Sequence, residues 1–352
     1  MNYYYYDDPI FESTEKRAAK RKKLRKLFSR FFLALSLYIL ISELLGVGVY
    51  LVASLMLSEE AYLEFASNYV WSIAISSGIQ YLIAFPIFLL MLLKTDKARN
   101  KERTRLTVGD FTLLLLIGEV LMIAGSLIGN FLNNLIGAFM GGAPENNVAT
   151  IVTEIPTWLI FVIMVVIGPI VEELIFRKLM IDRFSIYGDK MAILFSAVAF
   201  GVMHTNLYQF FYASFLGALL GYVYTLTRDV RYTVAMHMIL NFMGSIFTLW
   251  AQEAMTEFYA LEALASAGEY FDKLSYVFNG MIVTLYNNIM YGIMASGIFA
   301  IVHYTRKKKI RINSKKEVYL PDEEIVKYGV VNLGAILFLI LTLALTVLNL
   351  FP

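Results

Sequence analysis

Glu172 and Glu173 are adjacent within the apolar run Pro156 to Met180, and two later apolar runs carry His204 and the pair His237 and Asn241. Ionisable groups in hydrocarbon-length segments are costly and are retained where they pair or act. On a helix, neighbours diverge by about 100° while residues four apart share a face. Glu173 therefore reaches Arg177 and is structural, whereas Glu172 points into the bundle as a candidate general base. Gly168 and Pro169 lie just upstream, and a proline kink there opens room for water beside Glu172. Phe200 shares a helix face with His204, and His237 and Asn241, also four apart, project together. His303, beside Arg306 to Lys309, is a bystander. Carboxylate, imidazole and amide on separate helices suit amide hydrolysis, which needs a base for water and donors for the developing oxyanion.

The elements that carry these residues are membrane helices. The chain has 352 residues, of which 59% are hydrophobic, and a mean hydropathy of +0.64, too apolar for a soluble domain. Crossing a hydrocarbon core of ~30 Å takes about 17 to 25 apolar residues. The expected fold is an all-α polytopic bundle of eight to nine spans: Phe31 to Leu57, Tyr69 to Leu93, Val108 to Met140, Thr157 to Met180, Met191 to His204, Tyr208 to Thr227, Tyr232 to Trp250, Val277 to Tyr304 and Gly329 to Phe351. The fifth is short. Of the 30 Lys and Arg residues, all but Lys273 fall in segments 1–30, 94–105, 177–190, 228–231 and 303–327. These are alternate connections, as expected for a cytosolic N terminus under the positive-inside rule.

The organisation follows from this threading. A basic cytosolic segment, 1–30, precedes N-terminal spans over 31–140. A catalytic core occupies 157–250, an acidic amphipathic segment near the outer surface covers 251–276, and C-terminal spans with a basic cytosolic loop occupy 277–352. The basic clusters flank spans with little aromatic interleaving, so they suit the anionic inner leaflet of a lipid bilayer and not nucleic acid. With no cysteine, disulfides, thiolate nucleophiles and cysteine metal sites are excluded. Tyr3 to Tyr6 with Asp7 and Asp8 reads as a disordered or interfacial tail. Glu43, Gln80, Glu119, Asn130, Asn133, Asn134, Asn287 and Asn288 are further intramembrane polar residues, more ordinarily helix-to-helix hydrogen bonders than catalysts. In depth, Glu172 lies five residues before Arg177 and His237 six after Arg231, about 7 to 9 Å of rise, whereas His204 lies fourteen from Lys190, about 21 Å. A tilted or later-starting fifth span would reconcile them.

Glu172, Glu173 and Arg177 match an EExxxR motif, Phe200 and His204 an FxxxH motif, and His237 and Asn241 an HxxxN motif, in that order. In these respects the chain resembles the CAAX prenyl endopeptidase and bacteriocin-processing (CPBP, Abi) family over roughly 157 to 250. The resemblance implies an intramembrane glutamate endopeptidase whose site opens toward the cytosol and needs no cofactor. Glu172 would activate water with help from His204, His237 and Asn241 would hold the oxyanion, and Glu173, Arg177 and Phe200 would support the site. Substrates would be peptide precursors or membrane-associated proteins at a bacterial plasma membrane.

Two other readings fit the same residues. Glu172, His204 and His237 could ligate zinc, although the chain lacks an HExxH pair. A non-proteolytic scaffold, immunity protein or transporter could use the cluster for binding alone, although no inverted repeat is evident. The topology has a direct test in this cysteine-free chain. A single cysteine at Ser314 is expected to be protected from impermeant thiol reagents in intact cells and one at Glu253 to be labelled; the reverse pattern would overturn the orientation.

Overall fold

Polar residues punctuate the apolar runs. Ser13, Asn68, Thr107, Asn206, Asp229 and Asp272 each accept a backbone N–H at a helix start, supplying partners that the first turn lacks. The computed structural model describes residues 13–99, 103–142, 144, 146–307, 312 and 315–350, without the side chains of 147–149. Tyr3 to Tyr6, Asp7, Asp8 and Ser314 lie outside the described residues.

The helices, in chain order, are α1 (Thr14–Met56), α2 (Glu59–Ser67), α3 (Tyr69–Leu92), α4 (Val108–Met140), α5 (Asn147–Glu154), α6 (Thr157–Tyr187), α7 (Asp189–Met203), α8 (Leu207–Thr227), α9 (Val230–Ser266), α10 (Lys273–Arg306), α11 (Asp322–Val330) and α12 (Leu333–Leu350). Among the described residues there is no strand. Eight helices, α1, α3, α4, α6, α8, α9, α10 and α12, are long and apolar enough to cross a membrane. The protein is an all-α polytopic bundle.

Several boundaries differ from the sequence expectation for physical reasons. The fifth span is α7, whose 15 residues rise only about 22 Å, short of a ~30 Å core. One face is packed in the protein, with Ala192, Phe195, Ser196, Ala199 and Phe200 buried, while Leu194 and Val198 on the other are exposed. The basic segment before Phe31 is helical from Thr14, because Leu24, Leu27 and Phe28 bury one face of it against Phe184, Tyr187 and Phe195. Its polar face pairs with α11. Arg21 donates to Glu324 at 2.9 and 2.6 Å, and hydrogen bonds from Arg21 and Arg17 lower the Glu324 pKa to about 2. Residues 251–276 are the end of α9, a turn and the start of α10, with Ala251 and Ala254 buried.

Two features of α6 position the site. Pro169 has no N–H to donate, and the stretch Ile160–Ile167 before it is wound as a π-helix, as is Leu174–Ile181 after Glu173. The helix also continues to Tyr187, seven residues beyond the expected end at Met180. Glu172 is then fifteen residues from the end of α6, about 22 Å of rise, level with His204 as measured from Lys190. Between Glu172 and His204 the depth mismatch in the sequence came from taking Arg177 as a membrane boundary, whereas His237 stays six residues from Arg231, whose side chain is 87% exposed. Arg177 is 0% exposed and Arg183 only 3%.

Close backbone approach fixes neighbouring helices. A Cβ at Gly125 would lie 2.4 Å from the Tyr212 Cα, and one at Gly129 2.9 Å from the Tyr208 carbonyl oxygen. Rising numbers on α4 therefore meet falling numbers on α8, which makes the two antiparallel. The pairs Gly201 with Ser214 and Gly217 with Ala197 set α7 against α8 in the same sense. Overpacking a tight contact costs about 1 to 3 kcal/mol. Gly125→Ala is therefore expected to lower the melting temperature in detergent by several degrees, whereas Gly46→Ala, with nothing within 4 Å of its added Cβ, is expected to leave it unchanged or raise it slightly. Equal melting of the two variants would overturn this packing account.

Candidate active site

Between α6 and α9 the site is built on a buried carboxylate. Glu173 is 0% exposed; its Oε2 lies 3.1 Å from Nε of Arg177 one turn on, and its Oε1 3.1 Å from Nδ1 of His237. The guanidinium is fixed in turn. Nη1 of Arg177 donates to Ser196 Oγ at 2.8 Å, Ser196 donates to the Phe176 carbonyl at 3.0 Å, and the guanidinium stacks over the Phe200 ring at 5.0 Å. Glu173 thus pairs with Arg177, as their spacing predicts, and also meets His237, a contact between helices that spacing within one helix does not reveal. Removing one partner of such a buried pair costs about 3 to 5 kcal/mol, because the other charge is left uncompensated.

Glu172 occupies a different environment. Its side chain is 30% exposed and its Oε2 stands 3.6 Å from Nε2 of His237, so the imidazole lies between the two carboxylates. The Phe200 ring packs edge-on against both histidines, with centroids at 4.9 Å from His204 and 5.7 Å from His237. Nδ1 of His204 is 2.7 Å from the Phe200 carbonyl oxygen. Only an N–H satisfies that acceptor, so Nε2 of a neutral His204 keeps its lone pair. The turn after His204 has Thr205 at φ 47° and is held by Asn349 of α12, whose Nδ2 donates to the Thr205 carbonyl at 2.9 Å.

Asn241 is placed by the defect in α6. Gly168 donates its N–H to Ile163, and Pro169 has none to offer, so the Met164 carbonyl lacks a partner within its own helix. Asn241 Nδ2 donates to it at 2.8 Å. One N–H of the amide is used in this way and the second is left over.

Glu172, Phe200, His204, His237 and Asn241 all line one cavity of about 350 Å³, with Gly168 and Pro169 in its wall. Tyr81, Gln209 and Tyr212 also line it, with Gln209 Nε2 donating to the Tyr212 hydroxyl at 2.8 Å. The sequence reading passed over these three; the only signal for them was polar groups inside apolar runs, with Gln209 and Tyr212 three apart on one helix face. Of the other intramembrane polar residues, Glu119 is buried with Oε2 lacking a hydrogen-bond partner. It does not line this cavity. His303 stacks near Phe299 and Tyr304 on α10 and is not among the lining residues.

Fold and site together define a polytopic helical membrane protein with a polar cavity of carboxylate, imidazole and amide groups inside the bundle. Residues 154–243, which contain the three motifs, match the family model described as Type II CAAX prenyl endopeptidase Rce1-like. UPF0177 protein YbdI of Lactococcus lactis subsp. lactis (strain IL1403) is 31% identical over 176 residues, covering 48% of this chain and 93% of that protein. The candidate membrane peptidase YdiL of Bacillus subtilis (strain 168) is 24% identical over 183 residues, 49% of this chain and 68% of its own. No solved structure matches significantly. The chain belongs to the CAAX prenyl endopeptidase and bacteriocin-processing family.

The two glutamates are expected to fail differently. Glu172→Gln should abolish peptide turnover with the melting temperature unchanged, because its carboxylate is partly exposed and buried Arg177 keeps Glu173 as its partner. Glu173→Gln should lower both, by leaving Arg177 uncompensated and freeing His237. Turnover and melting of purified protein check this; unchanged melting in Glu173→Gln would show that the buried Glu173 carboxylate, with its contacts to Arg177 and His237, does not stabilise the bundle.

Proposed function

We propose that the protein is an intramembrane endopeptidase in which Glu172 activates water to hydrolyse peptide bonds of membrane-associated or precursor substrates. The observation that carries this reading is the cavity shared by Glu172, His204, His237 and Asn241, beside a second carboxylate already neutralised in the core. Family membership and the peptidase name carried by one relative support a membrane protease. Both relatives are bacterial proteins, which supports placement in a bacterial plasma membrane with the basic segments, and the N terminus, cytosolic.

The chemistry can be written from these groups. Glu172 takes a proton from water, the resulting hydroxide attacks the scissile carbonyl carbon, and the negative charge moves to the carbonyl oxygen. The spare N–H of Asn241 and Nε2–H of His237 are the donors for that oxygen. With Nδ1–H held by Glu173, His237 donates through Nε2 only when both ring nitrogens carry protons; the carboxylates on either side balance that cation. Collapse of the tetrahedral intermediate breaks the C–N bond, and protonated Glu172 returns its proton to the leaving amine. The lone pair of His204 Nε2 serves to orient the water.

Zinc chemistry would need Glu172, His204 and His237 to converge on one ion. Among the described residues no three His, Asp or Glu side chains stand close enough to share a metal, which favours the glutamate reading.

Asn241→Ala is expected to lower turnover by about 10² to 10³-fold, the usual loss for one oxyanion donor. It is also expected to lower stability by about 1 to 3 kcal/mol, because the Met164 carbonyl loses its partner. Adding Pro169→Ala supplies a backbone N–H in register for that carbonyl, so the double variant should regain stability but not turnover. Recovery of both would mean that Asn241 is only a brace. Turnover should also survive exhaustive chelation; its loss with zinc, and return on zinc addition, would replace the glutamate mechanism.

A further inference from the structure

The resemblance implies a site open toward the cytosol, but the cavity extends the other way. On α6 its lining residues run from Ile163 to Glu172 and stop; on α9 they begin at His237 and continue to Ser245. These helices are antiparallel, as the pairs Glu173 with His237 and Met164 with Asn241 require. Both sets therefore extend from the carboxylates toward the end of the bundle where α6 starts. On α8 the lining spans Gln209 to Leu216, the half nearest that end, and on α4 it is Met122 and Ser126, near the middle of the helix.

A second cavity of about 260 Å³ continues in the same direction. It shares Ser126, Gln209, Tyr212 and Ser245 with the first and adds Asn130, Thr248 and Gln252, each farther from the carboxylates along its helix. The combined passage thus leads to the loop 141–155 end, where the connections 141–155 and 205–207 contain no Lys or Arg. At the opposite end Ile175, Phe176, Arg177, Met180, Ile181, Phe184 and Tyr187 are at most 1% exposed. Arg228 closes that end further, donating to Asp189 at 2.6 Å and to Ser185 at 3.3 Å.

We propose that the two cavities form the substrate channel and that it opens on the face opposite the basic clusters, so that an extended peptide segment reaches Glu172 from the extracytosolic side. The inference rests on the proposed proteolysis for the nature of the occupant, but its geometry does not. The walls supply amide and hydroxyl groups without a charged side chain beyond Glu172 and the histidines. Such walls suit a segment whose backbone amides seek partners and whose side chains near the scissile bond are uncharged.

The absence of cysteine in this chain permits a test that needs no turnover. Single cysteines at Ser126 and, as a second variant, at Ser245 mark the junction of the two cavities; cysteines at Glu262 and Glu323 are references on the basic-poor and basic ends. With a small membrane-impermeant methanethiosulfonate applied to intact cells and to inverted vesicles, the junction cysteines should react in the preparation that labels Glu262→Cys, at least tenfold faster than in the one that labels Glu323→Cys. Reaction only with the Glu323 side, from both sides equally, or from neither in folded protein would overturn the channel. If labelling holds and no peptide is cleaved, the protease reading fails while the channel stands. Where cleavage is observed, placing Asp or Lys beside the scissile bond should lower kcat/KM at least tenfold; an unchanged value would remove the preference for uncharged segments.

Discussion

A carboxylate and a guanidinium removed from water inside a helical bundle must neutralise each other, and the Glu173–Arg177 pair is the interaction on which the rest of this protein depends. Both are fully buried, and the pair reaches the three helices that carry the motif residues. It orients His237 on α9, engages Ser196 and the Phe200 ring on α7, and sits one residue from Glu172 on α6. The site is therefore held by groups that are not in its cavity. Glu172 is spared a structural role because its neighbour has one, and adjacent residues of the same type acquire different environments from a rotation of about 100°.

Much of this was legible in the sequence because it depends on fixed helical spacing. Glu173 with Arg177, Phe200 with His204, and His237 with Asn241 are each four apart; the two histidine faces line one cavity with Glu172, and the Glu173–Arg177 pair is buried behind it. The spans were legible because hydrocarbon thickness sets their length. What escaped depends on packing between distant segments. Arg177 resembles a membrane boundary until its buried partners are known. The helical start of α1 depends on aromatic contacts from α6 and α7. The contact of Asn241 with Met164 arises from a π-helical register that no residue type announces. The direction of the passage is likewise a property of seven helices at once, whose lining residues look unremarkable alone.

Two of the helical irregularities share a cause. Pro86 in α3 and Pro169 in α6 each follow a π-helical stretch, Ile79–Ala84 and Ile160–Ile167, and each stretch contributes wall residues, Tyr81 in one case and Ile163 and Met164 in the other. In a bilayer a missing backbone donor cannot be replaced by bulk water, so neighbouring helices must supply it. At Pro169 the widened helix also takes a polar side chain from across the bundle, Asn241, making a cavity and furnishing it in one step.

The bond from Asn349 to the Thr205 carbonyl joins the turn beneath His204 to α12, an 18-residue helix with Leu333, Ile340, Leu343 and Leu348 on its exposed side. Its rise is about 27 Å, and a helix of that length answers changes in hydrocarbon thickness by altering its tilt or deforming the surrounding lipid. Because one end of α12 grips the histidine turn, the position of an imidazole deep in the protein is mechanically linked to the thickness of the bilayer around it.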